Sequence, residues 1–359
     1  MGCGSIRCRI PRIALYFLPV VAAFPVYVLW GQMNLSLVEV ETPSRSYSRR
    51  TDHFTVNVCG TVSSLAKALE YQLNDGDWLS VKMEKPRVPE GSFIIELRAD
   101  VLRKGMNELK IRAYAYGRSR AEVITVPINY DPTPIVLPLR VDWSSEGLEL
   151  SDGLWERFRQ DGEWRVRPKP GSEEYDRILV VAGSFPGPRR VETDVIFRSA
   201  IDRVRYGYGL LTLWGGHPDE PGSRLGRGWL YGQAWYASRY DGVASEFSAK
   251  YGDRAAVVIA SSQVMPVSPG RKYRIVAETW PEATPAGRQR YRQHMKWWED
   301  GTPEPEYWIE LGDTANVMPL IEYGVALVAH RCQADFGPVI IKPLTGSAAV
   351  NLPGPTAAQ

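Results

Sequence analysis

Cysteine is scarce in this chain. Of 359 residues four are cysteines: Cys3 and Cys8 precede an apolar segment, and Cys59 and Cys332 are far apart. Cys59 and Cys332 fall in different expected domains, which argues against a disulfide-stapled fold. An excess of charge of one sign is missing too. Forty-three basic residues against 41 acidic ones leave a net +2, which supplies no global field for nucleic acid. Internal repeats are absent, and the long uncharged apolar run lies within the first 31 residues.

That run, "IALYFLPVVAAFPVYVLW" from Ile13 to Trp30, is about long enough to cross a bilayer. Arg7, Arg9 and Arg12 precede it, and the next charge is Glu39. Positive flanks stay in the cytoplasm, so everything after Trp30 is expected to be exported. Val21-Ala22-Ala23 would suit a signal peptidase, but the apolar run continues to Trp30, as in an uncut anchor. "MGCGSI" departs from a myristoylation signal at Ile6. Residues 1–31 therefore read as cytoplasmic N-terminus and signal anchor of a single-pass membrane protein.

Beyond the anchor the chain reads as all-β. From 35 to 130, short alternating runs are broken by turn residues. "HFTVNV" puts Phe54, Val56 and Val58 on one face, and Asp75-Gly76 marks a hairpin. "NELKIRAYAYG" turns Leu109, Ile111 and Ala113 inward against Lys110 and Arg112. Tyr71-Gln-Leu-Asn-Asp-Gly and Leu102-Arg-Lys-Gly-Met-Asn-Glu-Leu carry a resemblance to immunoglobulin-like and fibronectin type III-like modules of bacterial surface proteins. That resemblance implies a small β-sandwich acting as spacer or docking unit. "DPTPIVLP", 131–138, holds three prolines and reads as a stiff linker. The tail, 345–359, is small and polar and reads as disordered.

Residues 139–344 supply a further ordered set of strand patterns. They run from "GLWERFRQDGEWRVRP" through Lys296-Trp297-Trp298-Glu-Asp-Gly to Gly324 and Phe336-Gly-Pro-Val-Ile-Ile. The set is similar to laminin-G-like, concanavalin A-type lectin and glucanase jelly rolls. The resemblance implies a large two-sheet sandwich, a fold that hosts both sugar binders and glycan-cleaving enzymes. Glycosidases of this fold place Glu, Asp and a second Glu along one strand. Here Glu192 and Asp194 are present, but Ile196 and Phe197 stand where the second Glu is needed. Two-carboxylate hydrolysis then lacks a partner. Jelly-roll lyases use Arg, Gln, His and Tyr, and Arg205, His217, Gln233, Tyr236 and Tyr240 supply those types without a family spacing.

Two constellations could bind a ligand. "RYGYGLLTLW" would place Tyr206, Tyr208, Leu210, Thr212 and Trp214 on one strand face, and "GWLYGQAWY" Trp229, Tyr231, Gln233 and Trp235 on the next. With His217 in the connection, the row is either a sugar platform or core filling between two sheets. In "RQRYRQHMKWW", Arg288, Arg290, Arg292, His294 and Lys296 alternate on one face. They could clasp acidic groups, or form a solvated face partly neutralised by Glu278 and Glu282. Asp142 and Asp335 fall where the resemblance implies a structural Ca²⁺, though no Asp-x-Asp cluster supports them. No other cofactor is expected.

The chain thus reads as an exported, membrane-anchored surface protein that binds a glycan or cell-surface polysaccharide and does not cut it. A polysaccharide lyase and a non-catalytic structural or adhesive protein are the alternatives. A reporter fused after Gln359 should be active only outside the cytoplasm, with the protein in the membrane fraction. A soluble form starting near Phe24 would contradict the uncut anchor.

Overall fold

The computed structural model describes residues 36–40, 45–48, 55–81, 92–116, 121–145, 148–171, 176–200, 206–215, 233–238, 245–251, 257–261, 267–283, 289–313 and 322–344. Apart from one short 3-10 turn at Ala99–Val101, the regular structure among them is β. The expected anchor, Ile13–Trp30, lies outside the described residues. Among those described, no helix is long and apolar enough to cross a membrane.

Two hydrophobic clusters divide the strands. The first holds β1 (Val38–Val40), β2 (Arg45–Tyr47), β3 (Thr55–Val62), β4 (Ala66–Leu73), β5 (Leu79–Ser80), β6 (Ser92–Arg98), β7 (Gly105–Ala115) and β8 (Glu122–Tyr130). One sheet runs β1-β3-β6 and the other β2-β8-β7-β4-β5, with β2 parallel to β8. Alternation along β7 drives Leu109, Ile111 and Ala113 into the core at 0% exposure, with Lys110 and Arg112 turned outward. The hairpin turn after β4 starts at Asn74, whose φ of 52° is one that asparagine tolerates. Its side-chain Oδ1 accepts from Glu108 N at 3.0 Å.

The second cluster lies between two larger sheets. One orders β10 (Glu149–Asp152), β13 (Asp176–Pro186), β22 (Glu322–His330), β15 (Tyr206–Trp214), β16 (Gln233–Ser238), β17 (Ser245–Tyr251) and β18 (Val257–Ser261). The other orders β11 (Trp155–Gln160), β12 (Glu163–Pro168), β23 (Cys332–Phe336), β14 (Arg189–Ala200), β19 (Lys272–Ala283), β20 (Gln289–Glu299) and β21 (Ile309–Asp313). On the same sheet β24 (Val339–Pro343) pairs with β14 and with β9 (Leu139–Val141). All these pairings are antiparallel, and the two sheets stack with jelly-roll-like organisation. Cys59 and Cys332 are buried, one in each sandwich, and are not joined in a disulfide.

The proline-rich segment after β8 is not a free spacer. Its Ile135 and Leu137 pack on the large core while Val136 between them is exposed. A second tie joins the sandwiches: Ser48 Oγ donates to Glu149 Oε2 at 2.9 Å and accepts from Gly183 N at 3.0 Å.

Strand β15 departs from simple alternation. Its pairing with β22 slips between Leu211 and Trp214, a bulge that turns the strand's later side chains to the opposite face. Tyr208 and Leu210 enter the space between the sheets. Trp214 instead packs with Ile178, Val180, Leu211, Ala326 and Val328 on the far side of the sheet and is 1% exposed. This sheet is therefore buried on both faces along β13, β22 and β15. Trp214→Ala should cost about 3–5 kcal/mol, the usual loss for a large buried aromatic. Thermal melting checks it, and a change below about 1 kcal/mol would show that the indole is not core.

Candidate functional site

The expected aromatic platform does not assemble as a single row. Tyr208 is wholly buried, with its ring stacked on Phe197 at 5.4 Å and tilted against Trp297 at 5.7 Å. Trp214 is buried on the opposite side of its sheet. A sugar needs an exposed ring face, and neither residue offers one. Gln233 and Trp235 lie in β16, where Trp235 is opposite Gly209. Their side chains, with His217, Trp229 and Arg288, lie outside the described residues, as do Arg205, Tyr240 and the side chain of Tyr236.

The outward face of the nine-stranded sheet is where ligand-binding chemistry gathers. Tyr291, Gln293, Met295 and Trp297 of β20 point into the core, so Arg292, His294, Lys296 and Trp298 point away from it. Arg290 belongs to the same strand, opposite Glu282. The basic stripe is laced with acids. Arg292 comes within 4.0 Å of Glu282, His294 Nε2 hydrogen-bonds Glu278 Oε2 at 2.7 Å, and Lys296 Nζ donates to Glu304 Oε1 at 2.8 Å. Glu278, from the neighbouring β19, also accepts from Arg190 Nη1 of β14 at 2.9 Å. Arg190 Nε donates to Glu192 Oε1 at 2.7 Å, an oxygen that Lys342 Nζ reaches at 2.9 Å.

Three indoles frame this network. Trp308 stacks on the His294 ring at 3.8 Å, and Trp280 meets that ring edge-on at 4.8 Å. Lys296 Nζ lies 4.6 Å over Trp308, within cation–π range. Trp298 lines a cavity of about 330 Å³ together with Arg190, Glu192, Arg274, Asp300 and Glu304. Sequence reasoning missed Trp280, Trp298 and Trp308 as a group. The available signal for Trp280 and Trp298 was their outward register beside core positions in "RIVAETW" and "QHMKWW".

Electrostatics favour the ionised form of two of the cleft's acids, Glu192 and Asp300. Burial pushes the Glu192 carboxyl up, but the Arg190 and Lys342 hydrogen bonds outweigh it and leave its pKa below the usual 4.5. The Lys272 hydrogen bond, aided by Arg274, likewise holds Asp300 below 3.8. Glu192 is thus a fixed anion between cations, unsuited to donating a proton at neutral pH.

The remaining expected positions are engaged elsewhere. Asp194 is buried against Arg165 at 2.6 Å, and Ile196 and Phe197 are core residues. Asp142 closes a local turn, accepting from Ser144 N at 3.0 Å and Ser144 Oγ at 2.6 Å. Asp335 is fully buried and paired with Arg198. The two aspartates proposed for Ca²⁺ therefore have turn donors and a guanidinium as partners. Among the described residues no group of three or more His, Cys, Asp or Glu could hold a metal.

No family model and no curated protein matches the chain in sequence. Solved structures do match part of it. The carbohydrate binding module CBM66 from Bacillus subtilis is 14% identical over 55% of this chain and 95% of its own, with a TM-score of 0.32. A protein of unknown function with a galectin-like fold from Bacillus subtilis is 12% identical over 57% and 94%, at 0.37. The PL-14 alginate lyase from Aplysia kurodai is 14% identical over 57% and 89%, at 0.36.

Glu192 generates a pH prediction with a definite sign. Its folded pKa lies below 4.5, so its stabilising contribution is complete above about pH 4.5 and is lost as pH falls through the folded value. The stability gap between wild type and Glu192→Gln should narrow from about pH 5 downward. Urea unfolding across that range checks it. A gap that stayed constant would mean the ion pairs do not bind Glu192 more tightly in the folded state.

Proposed function

We propose that this is an exported surface protein whose larger sandwich binds a saccharide on the outward face of its nine-stranded sheet. The observation that carries the reading is the cleft where Trp298 meets Arg190, Arg274, Glu192, Asp300 and Glu304 around about 330 Å³. An indole offers an apolar face for the C–H side of a sugar ring. Carboxylates accept from hydroxyl donors, while guanidinium groups donate to hydroxyl oxygens. The lining carries two cations and three anions, so it fits a hydroxyl-rich ligand better than a densely charged one. Its volume lies at the small end of ligand pockets, enough for one portion of a chain.

In this reading the large sandwich is a concanavalin A-like, laminin-G-like module. The small sandwich is immunoglobulin-like, consistent with β2 running parallel to β8 at the edge of its five-stranded sheet. The apolar run Ile13–Trp30 would hold both at the membrane, outside the cytoplasm. A polysaccharide lyase remains the second reading, because His294 and Arg190 converge on Glu278. That set includes a base candidate and a cation able to neutralise a uronate.

A glycan array on the full-length protein, followed by titration, tests the binding reading. Trp298→Ala should weaken the best ligand by about 1–3 kcal/mol, as loss of an aromatic anchor does, with little change in melting temperature. Failure of every glycan to bind would overturn the reading and favour a structural surface protein, and unchanged affinity in the variant would overturn the placement of the site at this cleft. Unsaturated uronate released by wild type but not by His294→Ala would establish the lyase instead.

A further inference from the structure

Arg189 faces the opposite way from Arg190, into the sandwich, and is fully buried. Its Nη1 donates to the backbone carbonyls of Tyr323 at 2.9 Å and Phe185 at 3.3 Å, and its guanidinium lies 4.6 Å over the Phe185 ring. Among the described residues, Nε and Nη2, which form the side-on fork that grips an anion bidentately, have no hydrogen-bond partner. A charge held between sheets without a counter-ion is costly.

The fork is not alone. Arg189 is opposite Thr279 on β19, and Thr279 is opposite Gln293 on β20. All three are buried, so they form one inward row across three adjacent strands. Thr279 Oγ1 and Gln293 Nε2 also lack hydrogen-bond partners. Gln293 Oε1 is already used, accepting from Thr212 Oγ1 at 2.6 Å, which leaves the amide nitrogen as a donor. The unmet groups of the row are therefore donors or, for the threonine hydroxyl, able to donate. Burial lowers the Arg189 pKa to about 10, opposed only by the phenols of Tyr291 and Tyr323. The guanidinium stays charged at neutral pH.

We propose that this row binds a small monovalent anion of halide size, with chloride as its physiological form, enclosed between the sheets. The Arg189 fork supplies the charge, and Gln293 Nε2 and Thr279 Oγ1 complete the donor shell. The site is independent of the outward cleft, and its role is to neutralise the core guanidinium.

Melting of the full-length protein in chloride and in gluconate at equal ionic strength tests this. Chloride should raise the melting temperature saturably, because an ion that binds only the folded state stabilises it by mass action. Bromide-soaked crystals should show anomalous density beside Arg189 Nε and Nη2. Arg189→Met should abolish the chloride dependence. If that variant does not fold, Gln293→Leu and Thr279→Val decide the matter. Each should move the chloride midpoint at least about tenfold higher, the loss expected for one hydrogen bond to a charged group. Equal melting in both salts, or a bromide map with no peak at the fork, would overturn the proposal.

Discussion

Register along β14, β19 and β20 is the constraint on which the rest depends. Side chains on a strand alternate, so a slip of one residue would exchange the core and outward faces together. Adjacent residues show how much rides on it. Arg189 is buried in the sandwich while Arg190, the next residue, joins Glu192 and Glu278 outside. Trp297 fills core and Trp298 lines the cleft. The apolar inward set of β20, with Met295 and Trp297, fixes that register by burial. The candidate site is a by-product of the same choice.

The two faces handle charge by different rules. Outside, the pairs of Arg190, Lys296 and Lys342 with glutamates are partly exposed, and such pairs are each worth about 0–1 kcal/mol. Their effect is positional: shared carboxylates hold four side chains in one geometry beside the indoles. Arg165 and Asp194, at 3% and 9% side-chain exposure, belong to the other regime. Removing one partner there strands a buried charge at a cost of about 3–5 kcal/mol. Asp194 therefore acts as structure, although its position two residues after Glu192 resembled part of a catalytic strand.

The sequence made the alternating strands legible because each has one wet face. In β7 Lys110 and Arg112 separate core residues, and in β20 Arg292, His294 and Lys296 do the same. The basic stripe and its neutralisation by Glu278 and Glu282 were readable on that ground. β15 was not readable in this way. Both of its faces are covered, so "YGYGLLTLW" has no charged positions to set its phase. Its bulge then moves Trp214 off the face shared by Tyr208 and Leu210, a shift that simple alternation cannot anticipate. The outward indoles were obscured for another reason: Trp280, Trp298 and Trp308 come from separate segments, and only strand pairing unites them.

Burial also decides which sheet can carry a ligand. Along β13, β22 and β15 the seven-stranded sheet is covered on both sides, and its far face is Ile178, Val180, Leu211, Trp214, Ala326 and Val328. That face is buried and offers a sugar no exposed surface. The small sandwich meets this sheet as well, through Ser48 at Glu149 of β10 and at Gly183 of β13. The nine-stranded sheet keeps its partly exposed row of indoles, amines and carboxylates facing away from the core. The larger sandwich therefore carries its polar, aromatic face on this sheet, while Ser48 of the smaller sandwich bonds to β10 and β13 of the other.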